Sequence, residues 1–489
     1  MAPPDKKTAG VIPGTVYSNL GDPRACTLIF CRLRVTPACQ QKLQIYLQGQ
    51  KMRSSSGVTP ITLFSKPYNC GGSCIFCPSV TGVPKSYLSR VNLSSKCLSY
   101  SPDTQMAYWL SYIRGRGGVC NKLEVLILGG SFLALPIAHI RWFVRKIYQS
   151  IDGSIRPGAK VADYIEKHQS TDGYRIIGIT VEARPDQINK SIVVQLYSLG
   201  VTKIEIGVQS VNEDVLSFNK RGHDINSIKN ATSIIKDKGL KVGYHLLYGM
   251  PSASIKIDID STREIFTNPS YLPDHVKLYF CEMFKREFMT SEIVRLYDSQ
   301  SWKPYDYEHR AELLNEITPL IPRYTRISRI GRKLTRHDLE VDLIETPSGI
   351  HDRKFGCKCI RCREPENKII FDYRESQIAL LEISDRDIFI EQVCSDTDTC
   401  FGVLRLRKSG NNIAIIREIH VYGLESAVGD HGKFQHHGIG KRLIRAAERA
   451  ATEKWGVNHL GVASGVGVRS YFEKYGFKLG DDCLMWKEL

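Results

Sequence analysis

At 489 residues the chain is longer than one ordinary domain, and 42% hydrophobic with 24% charged residues excludes a disordered polymer. A net charge of +16 points to an anionic partner, nucleic acid first, because lysine and arginine displace counterions from phosphate backbones. No apolar run reaches the roughly 18 residues of a spanning helix, and the opening Met1-Ala2-Pro3-Pro4 lacks the apolar stretch of a signal peptide. No membrane partner is therefore expected. The 15 cysteines include two close-set triplets that suit metal rather than disulfides, so the chain is placed in the reducing cytoplasm.

In chain order, residues 1–57 form a basic N-terminal segment without sustained periodicity. Short apolar runs follow at 61–66, 124–130, 175–183, 203–209, 241–248 and 275–282. Between them lie helical patterns such as 135–150, where Ile137, Ile140, Phe143, Val144 and Ile147 recur at helical spacing. Six strands separated by helices pair in parallel through right-handed crossovers, which predicts a partial (β/α)6 barrel, with a doubly wound sheet as the alternative. Either way ligands sit at the carboxyl ends of the strands. A helix is predicted over 311–321, then a basic segment from Arg323 to Arg336 that leads to the second cysteine triplet. Arg323, Arg326, Arg329, Arg332, Lys333 and Arg336 are candidates for part of a phosphate-binding face near the junction, with a solvated basic surface as the alternative. From about residue 367 strands follow one another, at 377–383, 388–394, 401–407 and 412–422, then a Gly-rich loop, a helix over 441–455, a short strand, a second helix near 468–475 and a last strand. That succession predicts a separate α+β domain.

Two motifs carry chemistry. Cys70-Gly71-Gly72-Ser73-Cys74-Ile75-Phe76-Cys77 has the spacing C-x3-C-x2-C directly after the first strand. Three thiolates hold three irons of a 4Fe–4S cluster and leave the fourth open for a ligand. The spacing resembles the signature of radical-SAM enzymes, whose open iron chelates S-adenosylmethionine. At the end of the second strand, Gly129 and Gly130 form a turn that lets the cofactor approach backbone. The second motif, Gln435-His436-His437-Gly438-Ile439-Gly440-Lys441, stands between a strand and a helix. Its glycines and the helix N-terminus make a pyrophosphate cradle, and the form resembles the acetyl-CoA loop of GNAT acetyltransferases.

Further stretches resemble one family, the catalytic subunit of Elongator and its free-standing relatives. They are Leu128-Gly129-Gly130-Ser131-Phe132-Leu133-Ala134-Leu135-Pro136, Thr180-Val181-Glu182-Ala183-Arg184-Pro185-Asp186, Glu205-Ile206-Gly207-Val208-Gln209-Ser210, Lys220-Arg221-Gly222-His223, Gly243-Tyr244-His245 and Gly249-Met250-Pro251. Cys357-Lys358-Cys359-Ile360-Arg361-Cys362-Arg363-Glu364 and Arg417-Glu418-Ile419-His420-Val421-Tyr422-Gly423 complete the set. The resemblance implies a radical-SAM domain over 58–335, a zinc-binding junction over 336–366 and a GNAT acetyl-CoA domain over 367–489. It implies carboxymethyl-type modification at carbon 5 of the wobble uridine of tRNA: cleaved S-adenosylmethionine takes hydrogen from the methyl of an acetyl group, and the carbon radical adds to the ring. It further implies zinc on Cys357, Cys359 and Cys362, with His351 or His337 as the fourth ligand, and accessory Elongator-type subunits as partners.

Among single residues, Glu182, Arg184 and Gln209 end barrel strands as cofactor-pocket candidates, and Lys277 and Tyr279 end the sixth strand as candidates for catalysis. Two positions depart from the family pattern. Phe472 stands where a tyrosine serves as the candidate general acid for the leaving thiolate, which leaves Tyr471 for that role, and Ser131 stands where related turns end in an acid. Two other readings remain: a protein lysine acetyltransferase with a structural cluster, and a tRNA-binding scaffold that hydrolyses acetyl-CoA weakly.

Overall fold

The computed structural model describes residues 57–88, 99–115, 121–170, 173–332, 334, 338–341, 356–365, 376–423 and 437–489. The expected N-terminal segment up to residue 56, Lys333, Arg336, His337, His351, Gln435 and His436 lie outside them. Residues 53–107 and 120–489 make one compact unit, and residues 108–115, the end of the helix Pro102–Gly115, belong to a second.

Seven parallel strands in sequential order form the first sheet: β1 Val58–Phe64, β2 Lys122–Leu128, β3 Arg175–Ala183, β4 Val201–Gln209, β5 Lys241–Tyr248, β6 His275–Phe280 and β7 Arg326–Ile330. This is a partial barrel with one strand more than the sequence pattern suggested. β7 had been read as a basic segment because only Ile327 and Ile330 interrupt its arginines and serine. It pairs in parallel with β6, Val276 opposite Ile327, and Ile327 is fully buried. The crossover helices bury an apolar stripe, and those before and after β5 start on side-chain caps: Asp224 accepts from the Ser227 N–H and Ser254 from the Ile257 N–H. The helix expected at 311–321 begins earlier, Tyr307–Ile317, because Asp306 caps it through the His309 N–H.

The second sheet runs β13-β14-β12-β11-β10-β9-β8, with β8 Ser376–Glu382, β9 Asp387–Cys394, β10 Thr399–Lys408, β11 Ile413–Val421, β12 His459–Val462, β13 Lys478–Leu479 and β14 Met485–Glu488. β11 and β12 are parallel, and their pairing stops at Ile416 and Val462, so among the described residues the end of β11 from Arg417 onward has no strand partner on that side. The helix Ile439–Trp455 lays Leu443, Ile444, Ala447 and Ala451 onto Phe401, Leu404, Ile416 and Leu460. That packing is the core of this half.

The two sheets are joined by an apolar cluster in which Leu272, Tyr324 and Ile360 meet Phe389, Val403 and Tyr422. Beside it, Arg417 of β11 binds Asp274, ahead of β6, at 2.5 and 3.1 Å, and Arg405 approaches the same carboxylate at 3.5 Å. Burial opposes ionisation of Asp274, but Arg417 and then Arg405 outweigh it and hold the carboxyl well below the usual range. Asp274→Ala leaves two buried guanidinium groups without this partner and is expected to cost about 3–5 kcal/mol. The contribution of Asp274 is present above its unfolded pKa of about 4 and is lost as pH falls through the lower folded value. Melting curves should therefore show a deficit for the variant that is full at neutral pH and shrinks in acid; an unchanged melting temperature at pH 7 would count against the interface clamp.

Candidate functional site

β1 ends at Phe64, and the chain turns across the carboxyl ends of the strands through the loop that carries the first cysteine triplet. Cys70, Cys74 and Cys77 line a cavity of about 470 Å³ together with Glu182 and Arg184 from the end of β3, Gln209 from β4 and Tyr279 from β6. Arg221 donates to Cys74 Sγ at 3.0 Å and to the Gly207 carbonyl at 2.6 Å, while its buried Nε has no partner among the described residues. A guanidinium beside sulfur, with a donor to spare, fits a thiolate-bound anionic cluster and a carboxylate-bearing ligand. Burial, then the neighbouring Cys74 and Cys70, pushes the Cys77 thiol up to about 11, so that thiol keeps its proton in the absence of a metal; bound iron would reverse that balance. The three residues therefore fit a 4Fe–4S cluster.

The structure brings Glu182, Gln209, Tyr279 and Gly130 to the cavity wall, whereas Gly129 and Lys277 stand behind it. A Cβ at Gly130 would lie 2.8 Å from the Lys85 carbonyl, and its φ of +85° is left-handed, so this turn admits glycine alone. Gln209 takes φ +71°, a conformation that costs a non-glycine residue of order 1–3 kcal/mol and is held where the strand meets the cavity. Lys277 is ion-paired to Glu205 at 2.5 Å. Oxygens of Glu182 and Glu205 and a ring nitrogen of His245 lie within 4.8 Å of one another, but the Lys277 ammonium fills the place of a metal ion there.

Several cavity residues had been passed over. Lys85 and Tyr87 come from the loop after the cysteines, and Arg221, Glu205 and His245 sit in stretches noted only for their resemblance. The described residues of the basic run divide between two environments. Arg323 pairs with Glu391 and Asp398 and Arg326 with Glu364, while Arg329 and Arg332 line the cavity. Alternation along β7 could have separated Arg326 from Arg329, three positions apart and so on opposite faces, but Arg323 and Arg332 lie outside the strand and carry no such signal.

Cys357, Cys359 and Cys362 are buried and have their sulfurs within 4.8 Å of one another, a set suited to a tetrahedral metal with one further ligand.

In the second half, Gly438 has φ +77° and caps the helix Ile439–Trp455, whose first backbone N–H groups have no intrahelical acceptor. Lys441 is exposed on that first turn, and His437 is half-buried just before it. The Ile439 side chain packs into the core, so only its backbone can meet a ligand. A Cβ at Gly440 would lie 2.3 Å from the Tyr471 hydroxyl, so that phenol faces the start of the helix. Burial, then a hydrogen bond with Tyr475, pushes the Tyr471 phenol up, which keeps its proton in place. Phe472 points into the core against Phe477.

The fold and these two sites define a radical-SAM domain followed by an acetyltransferase domain. Residues 65–257 match the Radical SAM superfamily and residues 359–477 the Acetyltransferase (GNAT) family. The chain is 31% identical to the tRNA uridine(34) acetyltransferase of Dehalococcoides mccartyi, over 87% of this chain and 97% of that one. It is 30% identical to Elongator complex protein 3 of Homo sapiens, over 95% and 89% of the two chains. The solved archaeal Methanocaldococcus infernus Elp3, N-terminally deleted, superposes with a TM-score of 0.75 at 28% identity, covering 89% of this chain and all of that one. The chain belongs to the family of tRNA uridine(34) acetyltransferases and Elongator complex protein 3. It is an enzyme that uses a 4Fe–4S cluster, S-adenosylmethionine and acetyl-CoA. Among the described residues no helix is long and apolar enough to cross a membrane.

Proposed function

We propose that this chain modifies the wobble uridine of tRNA at carbon 5, drawing on S-adenosylmethionine and acetyl-CoA within one polypeptide. The observation that carries this reading is the union, through the buried Asp274–Arg417 contact, of a three-thiol cavity and a coenzyme A helix start. The names of the bacterial and human relatives support it. When bound, the cluster and S-adenosylmethionine supply one-electron chemistry and coenzyme A supplies the acetyl group. The uracil ring, whose carbon 5 resists ordinary polar acylation, accounts for the need of both.

In this reading Cys70, Cys74 and Cys77 hold the cluster, Gly130, Glu182, Gln209 and Arg221 bind S-adenosylmethionine, and Gly129 shapes the turn that admits it. The loop from Gln435 to Lys441 holds pyrophosphate on backbone N–H groups. Tyr471 keeps a proton for the leaving thiolate. Tyr279 works at the cavity wall, and Lys277 acts from behind it. Cys357, Cys359 and Cys362, with His351, take a structural zinc. tRNA is the partner that the +16 charge favours, accessory Elongator-type subunits are the protein partners, and the cytoplasm is the compartment.

The test is anaerobic incubation with reductant, S-adenosylmethionine, acetyl-CoA and unmodified tRNA, followed by nucleoside mass spectrometry. The expected product is an acetyl-derived group on the wobble uridine, dependent on both small molecules. Acetylated lysine in protein, formed without S-adenosylmethionine, would replace this reading with a lysine acetyltransferase.

A further inference from the structure

At the cavity wall stands a buried carboxylate with an unusual set of partners. Glu205, on β4, is 2% exposed yet borders the cavity. Its Oε2 accepts from Lys277 at 2.5 Å and from the His245 ring at 3.0 Å, and its Oε1 lies 3.4 Å from Lys203. Lys203 in turn reaches Glu124 at 3.4 Å. Closed parallel barrels ordinarily fill this inner face with branched aliphatic residues. A buried ion pair gains little over apolar residues of the same volume, so stability alone does not explain these charges.

The distances show what the charges accomplish. Glu182, on the neighbouring strand and on the cavity wall, lies 3.9 Å from both Lys277 and His245, outside hydrogen-bond range. Glu205 holds Lys277 and His245 at hydrogen-bond distance, while Glu182 has only the longer ion-pair contacts to them and accepts a hydrogen bond from the Tyr87 hydroxyl, at 2.7 Å. A Cβ at Gly243 would stand 3.0 Å from Glu205 Cγ, so β5 leaves the room Glu205 needs. Burial opposes ionisation of Glu205, but Lys277 and then Lys203 outweigh it and hold the carboxyl well below the usual range.

We propose that Glu205 is a positioning residue that, by holding Lys277 and His245, keeps the Glu182 carboxylate free to receive S-adenosylmethionine in the cavity. The inference rests on the function proposed above and adds a residue that acts through its neighbours Lys277 and His245. Without Glu205, Lys277 closes the gap to Glu182 and neutralises the acceptor.

The experiment measures S-adenosylmethionine affinity of the full-length, cluster-loaded enzyme by anaerobic equilibrium dialysis, with iron content and melting temperature as controls. Glu205→Gln is expected to weaken binding about tenfold or more. Adding Lys277→Met to that variant removes the competing cation and restores affinity to within about threefold of wild type. Recovery by a second substitution is a result that general damage to the fold does not give. Unchanged affinity in Glu205→Gln, or weakened affinity that Lys277→Met leaves unrepaired, overturns the proposal. If Glu205→Gln alone does not load a cluster, the double variant decides against Lys277→Met alone: equal binding in the two supports the proposal and weaker binding in the double overturns it. If neither Glu205 variant loads a cluster, Glu205 belongs to the fold and the proposal falls. A wild-type enzyme that fails to bind S-adenosylmethionine defeats instead the function on which it rests.

Discussion

Cys74→Ala is expected to abolish the cluster. Of the three cavity thiols, Cys74 is the one that accepts from Arg221, at 3.0 Å, so the change removes one iron ligand and one of the acceptors of a buried guanidinium, which keeps the Gly207 carbonyl. Iron in the anaerobically reconstituted protein should fall from about four atoms per chain towards none, since two thiolates are too few for a stable 4Fe–4S site. Formation of 5′-deoxyadenosine should vanish with it. Acetyl-CoA binding should persist, because the helix Ile439–Trp455 and its core lie in the other half of the chain. Iron and sulfide assays with electron paramagnetic resonance decide the matter. Full cluster content in the variant would assign the cluster to other ligands.

Gly440→Glu should remove acetyl-CoA binding while sparing the cluster. The new Cβ would meet the Tyr471 hydroxyl at 2.3 Å, and the carboxylate would place negative charge where pyrophosphate is expected. A loss of about a hundredfold or more in affinity is expected from a clash and a like charge together. Because the clash also disturbs the core, Lys441→Glu is the companion: Lys441 is exposed, so its reversal alters the charge at the helix start and leaves the packing intact. It should weaken binding in the same direction and by less. Calorimetry with acetyl-CoA reads both, and wild-type affinity in both variants would move the acetyl donor elsewhere.

Comparison of residues with coordinates separates two kinds of information. The strand and helix rhythm between residues 61 and 282 was legible because buried parallel strands are near-continuous apolar runs, and six of the seven barrel strands announce themselves that way. The cysteine triplets and the coenzyme loop were legible because their chemistry depends on local spacing, which sequence records directly. β7 was hidden because Arg326 and Arg329 dilute its apolar signal. The same run shows why arginine counts mislead: Arg323 and Arg326 are taken up by acidic partners, and Arg329 and Arg332 reach the cavity, a division that depends on which strand lies next to them.

The sequence by itself therefore determined the class of each half, and it picked out the cysteine triplets and the glycines before the helix Ile439–Trp455 as candidates, since each is a matter of residue type at fixed short range. Only the tertiary structure decided that Arg221 serves Cys74, that Tyr471 rather than Phe472 faces the helix start, and that Glu205 takes Lys277 and His245 from Glu182. Those choices turn on differences of about an ångström between side chains tens of residues apart. Electrostatic energy and hydrogen bonding fall steeply over such distances in a buried site, and no local pattern encodes them.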